Sequence, residues 1–248
     1  MRLGFGREKL LAVFEKIGAR LHKRMEVFLL GGGAMCFRDQ KNATKDLDLV
    51  FETRGDYHEF VKVMDGMDFK KHLKLEREYE RLEAASIWQN AKGFRFDLFV
   101  KTVCNALSIS GSMRKRCELL GRFGKLTVRM VSNEDVILFK GITQRPDDVN
   151  DIAAIVRTSK VNWDIILHEC VRQSRARPWY GLLYDKLVEL KEKHGIDVLV
   201  AKQLLKLDRE SMIKEAYANL CSSGIGRKET LEMLRKKGFT KKELSFIG

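Results

Sequence analysis

Hydrophobic residues recur along this chain in two rhythms, and the change from one to the other divides it. Over residues 7–23, Leu10, Phe14, Ile17 and Leu21 return every three or four positions, which predicts an amphipathic helix. A short apolar run, Val27–Leu30, then ends in Gly31-Gly32-Gly33, and the helix-compatible stretch Ala34–Arg38 follows. Asp46–Phe51 alternates charged and apolar side chains with the period of two that marks a strand. Residues 55–64 read as a helix, residues 83–89 and 94–100 as strands joined by a turn at Asn90–Gly93, and residues 125–131 as another alternating strand. From Ser132 onward the period of two stops and helical spacing runs nearly to the end.

A mixed half followed by a helical half predicts an α+β protein. The expected architecture is a small mixed β-sheet with flanking helices over residues 1–160, then an all-helical C-terminal domain over residues 161–248. No apolar run approaches the ~18 residues of a membrane span. Charges throughout the first helix (Arg7, Glu8, Lys9, Glu15, Lys16) do not fit a secretory signal, so a cytoplasmic location is expected. The five cysteines show no C-x-x-C spacing, which points to buried thiols rather than a zinc site or a disulfide framework.

Charge changes the picture more. Forty-seven Lys and Arg against 34 Asp and Glu give a net charge of +13, enough to draw polyanions at long range. A solvated, salt-bridged surface is the plain alternative.

Within the second predicted strand, Asp46 and Asp48 point to one face while Leu47 and Leu49 point to the other. Two carboxylates about 6–7 Å apart along a strand can converge on one divalent cation or share two. In Phe94–Phe99, Asp97 is a lone acid among large apolar residues, and facing the first pair it would complete a three-acid cage. Oxygen-only ligands suit Mg2+ or Mn2+. Phosphoryl transfer needs such a cage, with Asp46 and Asp48 bridging the ions and Asp97 beside the attacking hydroxyl. Ordinary strand-edge salt bridges are the bland reading of the same acids. The glycines upstream let backbone N–H groups approach a triphosphate closely, whereas by themselves they make only a tight turn.

The ordered set Leu29-Leu30-Gly31-Gly32-Gly33, Thr44-Lys45-Asp46-Leu47-Asp48-Leu49 and Phe96-Asp97-Leu98 resembles the polymerase β-type nucleotidyltransferase superfamily. That resemblance covers roughly residues 26–157. It implies a small mixed sheet, a nucleoside triphosphate substrate and Mg2+ or Mn2+ at Asp46, Asp48 and Asp97. Either Gly31-Gly32 or Gly32-Gly33 takes the place of the family pair, and Ala34 stands where many members carry serine. A closer likeness is to the minimal, AbiEii-type toxin nucleotidyltransferases, through Asn133–Lys140 and Arg145–Ile152. It implies that Lys140 binds the triphosphate and that Asp148 or Asp151 positions it or contacts the nucleotide. It also brings in a protein acceptor and an antitoxin partner as options. Asp147 or Asp148 would otherwise serve as a helix cap after Pro146.

In the helical half, Arg172, Arg175 and Arg177 beside Trp179 and Tyr180 form a nucleic-acid-binding candidate, with arginines for phosphates and rings for bases, or else an interdomain packing joint with solvated arginines. The tail from Arg227 holds seven basic residues against three acids and reads as a helix-turn-helix or a solvated helical pair. The expected activity is metal-dependent transfer of a nucleoside monophosphate to a large acceptor, RNA such as a tRNA end, or a protein. A non-catalytic nucleotide- or RNA-binding module is the alternative.

Overall fold

The computed structural model describes residues 4–72, 86–143, 145–174 and 177–247. The chain divides into two compact units, Met1–Asn162 and Trp163–Gly248.

The first unit is built on a seven-stranded mixed sheet. In chain order its elements are α1 (Arg7–Gly18), β1 (Met25–Leu29), α2 (Gly31–Phe37), β2 (Asp46–Phe51), α3 (Arg54–Asp65), β3 (Phe69–Lys71), β4 (Ser86–Asn90) and β5 (Arg95–Val100). A two-stranded ribbon follows, β6 (Thr102–Val103) with β7 (Leu107–Ser108), then α4 (Gly111–Arg116), β8 (Glu118–Phe123), β9 (Leu126–Met130), α5 (Asn133–Gly141) and α6 (Asp148–Thr158). The sheet order is β3-β4-β5-β2-β1-β9-β8. The central pairs β2–β5 and β1–β9 run parallel, and β1–β2 runs antiparallel between them. Strand β2 therefore sits in the middle, where burial is greatest, and Leu47, Leu49 and Phe51 are fully enclosed on one of its faces.

Helix α1 buries Leu10, Phe14 and Ile17, the stripe read from the sequence. Helix α3 opens with Thr53 accepting from the Asp56 N–H, an N-cap that its sequence supplies. Helix α2 departs from expectation. It begins at Gly31, so the three glycines form its first turn rather than a turn ahead of it. Packing explains this, since a Cβ at Gly33 would lie 2.7 Å from Leu47 Cδ2 and 2.8 Å from Leu29 Cδ1. The bare backbone lets α2 settle directly on β1 and β2.

The strand expected over residues 83–89 lies partly outside the described residues, and β4 is seen from Ser86. Edge strand β8 was not legible. Its burial does not alternate, and a register shift between Leu119 and Gly121 breaks the period of two.

The second unit contains α7 (Trp163–Gln173), α8 (Tyr180–His194), α9 (Val200–Ser222), α10 (Arg227–Lys236) and α11 (Lys241–Leu244). Ile213, Leu234 and Leu244 close a core between α9, α10 and α11, flanked by Tyr217, Leu220 and Phe239. No helix among the described residues is long and apolar enough to cross a membrane.

Candidate active site

The parallel register of β2 and β5 assembles the acids. Asp46 pairs with Arg95 and Asp48 with Asp97, so all four side chains stand on one face of adjoining strands. Asp46 and Asp48 are partly exposed, whereas Asp97 is buried. Gly31 closes over this group with φ of +57°, and a Cβ there would lie 2.3 Å from Asp48 Oδ2. We expect Gly31→Ala to cost roughly 1–3 kcal/mol through left-handed strain and to displace the Asp48 carboxylate. A displacement near 1 Å would lower turnover on the order of a hundredfold. Denaturant unfolding and initial rates check both, and an unchanged rate would show that Asp48 does not depend on that contact.

Negative charge is concentrated here. Burial, then the Asp46 carboxylate, then Asp97, push Asp48 up to about 7. For Asp97, burial dominates and Asp46 adds to it, while hydrogen bonds from Arg95 oppose them; the result is about 6. A group this crowded with carboxylates calls for positive charge, and its oxygen donors are of the kind that hold Mg2+ or Mn2+. Asp46 and Asp48 fit that demand. Asp97 is held from both sides, because Arg95 donates Nε–H to Oδ1 at 2.5 Å and Nη2–H to Oδ2 at 2.8 Å, which leaves each oxygen one further lone pair. Among the described residues no group of three or more His, Cys, Asp or Glu side chains is drawn together so as to hold a metal ion.

A second cluster is a chain of alternating charges. Lys140, near the end of α5, is buried and donates to Asp148 Oδ1 at 2.8 Å and Asp151 Oδ2 at 2.7 Å. Lys41 reaches the same Asp151 at 2.9 and 3.1 Å. Asp148 accepts from the Thr143 hydroxyl and lies 3.5 Å from Arg145 Nε. Burial works against the Lys140 charge, but Asp148 and Asp151 outweigh it and hold the ammonium above its ordinary value. Burial likewise opposes the Arg145 charge, and Asp148 and Asp48 outweigh it. Asp147 occupies the N-cap position of α6 without a side-chain cap bond, and Asp148 points into the cluster. Neither acid caps the helix, because a buried ammonium is the stronger partner for Asp148.

Arg145 couples electrostatically to Asp48, Asp97 and Asp148, which links the two clusters. Arg95, Lys41 and the site role of Arg145 were not assigned from the sequence. The first was hidden as one cation in an apolar strand, and the second lies in a loop with no motif. Cys104 also stands near Arg145, Asp48 and Asp97, and burial pushes its thiol up to about 12, so it stays protonated. It lies between the short strands β6 and β7, in a segment where Lys101, Cys104 and Asn105 all have positive φ.

The helical candidate is only partly assembled. Arg172 and Arg177 are exposed, and Arg175 lies outside the described residues. Trp179 is buried, with the Arg177 guanidinium 4.7 Å from its ring centroid. Its ring is therefore covered rather than presented for stacking on a base, because burial of a large aromatic outweighs leaving it in water.

Residues 8–179 match a family described as "Nucleotidyltransferase of unknown function (DUF6036)". No curated protein matches the chain. Among solved structures, similarity extends to the antibiotic-resistance factor ANT(2'')-Ia, in a solution structure described as revealing substrate-regulated conformation dynamics. That match has a TM-score of 0.45 and 13% identity, covering 71% of this chain and 94% of the other. At that score it carries no weight in assigning chemistry.

Proposed function

The chain belongs to the DUF6036 family of nucleotidyltransferases, and from that premise we propose that it moves a nucleoside monophosphate from a nucleoside triphosphate to a hydroxyl of an RNA acceptor, a tRNA end being the expected form. The observation that carries the reading is the in-register set of Asp46, Asp48 and Asp97 on two parallel strands, with Arg145 and the Lys140 cluster coupled to it. A polyanionic acceptor accords with the net charge of +13.

In this reading Asp46 and Asp48 would hold Mg2+ or Mn2+, and Asp97 would complete the set. When bound, such an ion would supply charge neutralisation at the phosphate oxygens and ease ionisation of the attacking hydroxyl. The residues themselves do the rest. Asp97 would accept the proton of that hydroxyl, a role supported by its register level with Asp48. Arg145, half-exposed and held cationic, receives the triphosphate, with Gly31, Gly32 and Gly33 presenting backbone N–H groups. Lys140 acts with it through Asp148 and Asp151, which hold its ammonium in place. Arg172 and Arg177 contribute phosphate contacts in the helical unit, for which their exposure is the support.

The test is incubation with each α-labelled nucleoside triphosphate, Mg2+ or Mn2+, and total RNA. Label on RNA, lost in Asp46→Ala, is the expected result. Label on protein instead would replace the RNA acceptor by a protein hydroxyl, the toxin-like outcome. Metal-dependent nucleotide binding without transfer to either would reduce the chain to a binding module.

A further inference from the structure

Five side chains alternate in sign through the second cluster, and its ends differ from its middle. Lys41 pairs with Asp151, Asp151 with Lys140, Lys140 with Asp148, and Asp148 with Arg145. Three cations against two carboxylates leave one positive charge in excess. In the middle, the Lys140 side chain is 9% exposed and bonded to both acids. At the ends, Lys41 and Arg145 are 38% and 50% exposed. Arg145 couples to Asp48 and Asp97 on the strand face. Lys41 follows α2 and runs beside its first turn, where a Cβ at Gly32 would lie 4.0 Å from Lys41 Cδ. The preceding residue, Gly31, meets Asp48 at that same turn.

The ends can therefore do what the middle cannot. Drawing Lys140 away would deprive both acids of their buried cation, which is costly. Lys41 shares its carboxylate instead. Asp151 accepts from Lys140 at 2.7 Å as well as from Lys41 at 2.9 and 3.1 Å, so its charge stays neutralised when Lys41 leaves. An ammonium on a flexible four-carbon stem suits such an exchange. A triphosphate also spreads its negative charge over three phosphorus centres, more than one cation beside the acids can meet.

We propose that Lys41 is a phosphate-binding residue, which leaves Asp151 to grip the outer phosphates of the nucleoside triphosphate while Arg145 binds on the side of the strand acids. The proposal rests on the nucleotidyltransferase reading of the site and adds to it a ligand from the loop after α2. Lys140 is then the spacer that keeps Asp148 and Asp151 neutral while Lys41 passes from one anion to another.

The test is calorimetric titration with Mg2+ present and no acceptor. Its probes are each nucleoside monophosphate and the matching triphosphate with a methylene group between the α and β phosphorus atoms, which cannot transfer. Lys41→Met is expected to weaken triphosphate binding about 10- to 100-fold, the worth of a charge-assisted hydrogen bond. Monophosphate binding should change by less than about twofold, since the lost contact lies beyond the α-phosphate. The melting temperature should fall by no more than about 4 °C, because a half-exposed pair contributes little and Asp151 keeps Lys140. Lys41→Arg retains the charge and should keep triphosphate binding within a few fold of the parent. Unchanged triphosphate binding in Lys41→Met overturns the proposal, and so does an equal loss for both probes, which marks a merely structural pair. Arg145→Gln separates the two levels. If it weakens triphosphate binding and Lys41→Met does not, the nucleotidyltransferase reading stands and the role of Lys41 falls. A parent that binds both probes equally, or neither, refutes the triphosphate site itself and the proposal with it.

Discussion

Asp48→Asn is expected to abolish nucleotide transfer and, without metal, to make the protein more stable. The two effects share one cause. In the folded chain burial and the Asp46 and Asp97 carboxylates push Asp48 from an ordinary 3.8 up to about 7. Between those values the native state holds a proton that the unfolded state has released. Stability therefore falls as pH rises through this window and levels off above it. Asparagine removes that penalty. In EDTA the melting-temperature difference between variant and parent should be near zero at pH 4 and grow toward pH 7. It should reach on the order of 10 °C, given roughly 1.4 kcal/mol for each tenfold change in proton affinity and 2–4 °C per kcal/mol for a chain of this size.

Mg2+ should then stabilise the parent and not the variant. Turnover should drop at least about a thousandfold, because charge neutralisation by a bound ion is worth several kcal/mol in the transition state. Asp46→Ala should lose turnover to the same degree. A variant of Asp48 that retains transfer, or whose stability tracks the parent's across pH, would remove Asp48 from the site.

Lys140→Ala carries the second large effect, and it falls on the fold as well as on nucleotide binding. From sequence, Lys140 reads as a triphosphate ligand, whose loss would show mainly as weaker binding. In the structure its ammonium is 9% exposed at the side chain and bonded to both Asp148 and Asp151. Among the described residues, truncation leaves Asp148 with the Thr143 hydroxyl and the more distant Arg145, while Asp151 keeps Lys41. Breaking a buried pair in this way costs about 3–5 kcal/mol, which for this chain length lowers the melting temperature by roughly 6–20 °C. The double variant Lys140→Met with Asp148→Asn should regain most of that loss, since neither group is then left charged without a partner. An unchanged melting temperature in Lys140→Ala would show that the ammonium is spent on the nucleotide rather than on the network.

Local pattern carried much of the catalytic unit. A period of two is enough to put Asp46 and Asp48 on the face opposite Leu47 and Leu49, because alternation is a property of any strand. The same rule places Asp97 against Phe96 and Leu98, and helical spacing marks Leu10, Phe14 and Ile17 as the buried stripe of α1. Glycine has no Cβ, so its crowding at 31–33 reads in the sequence as room for a triphosphate or as a tight turn, and in the fold the same bare backbone admits the Leu29, Leu47 and Asp48 side chains. The net charge of +13 is likewise a fact of composition.

What pairs with what was decided only in three dimensions. No spacing rule says that β5 lies parallel to β2 with Asp97 level with Asp48, since register is fixed by long-range packing of both strands. The Arg95–Asp97 fork was not read from the strand, because alternation gives a shared face and not a partner. Lys41 meets Asp151 across 110 positions of chain. Trp179 reads in the sequence as a stacking platform and in the fold as a buried ring beneath Arg177. Sequence determined which residues could carry chemistry, through the fixed periods of strand and helix. Tertiary structure decided which charges neutralise one another, because that depends on distance and burial, and neither is a property of the chain alone.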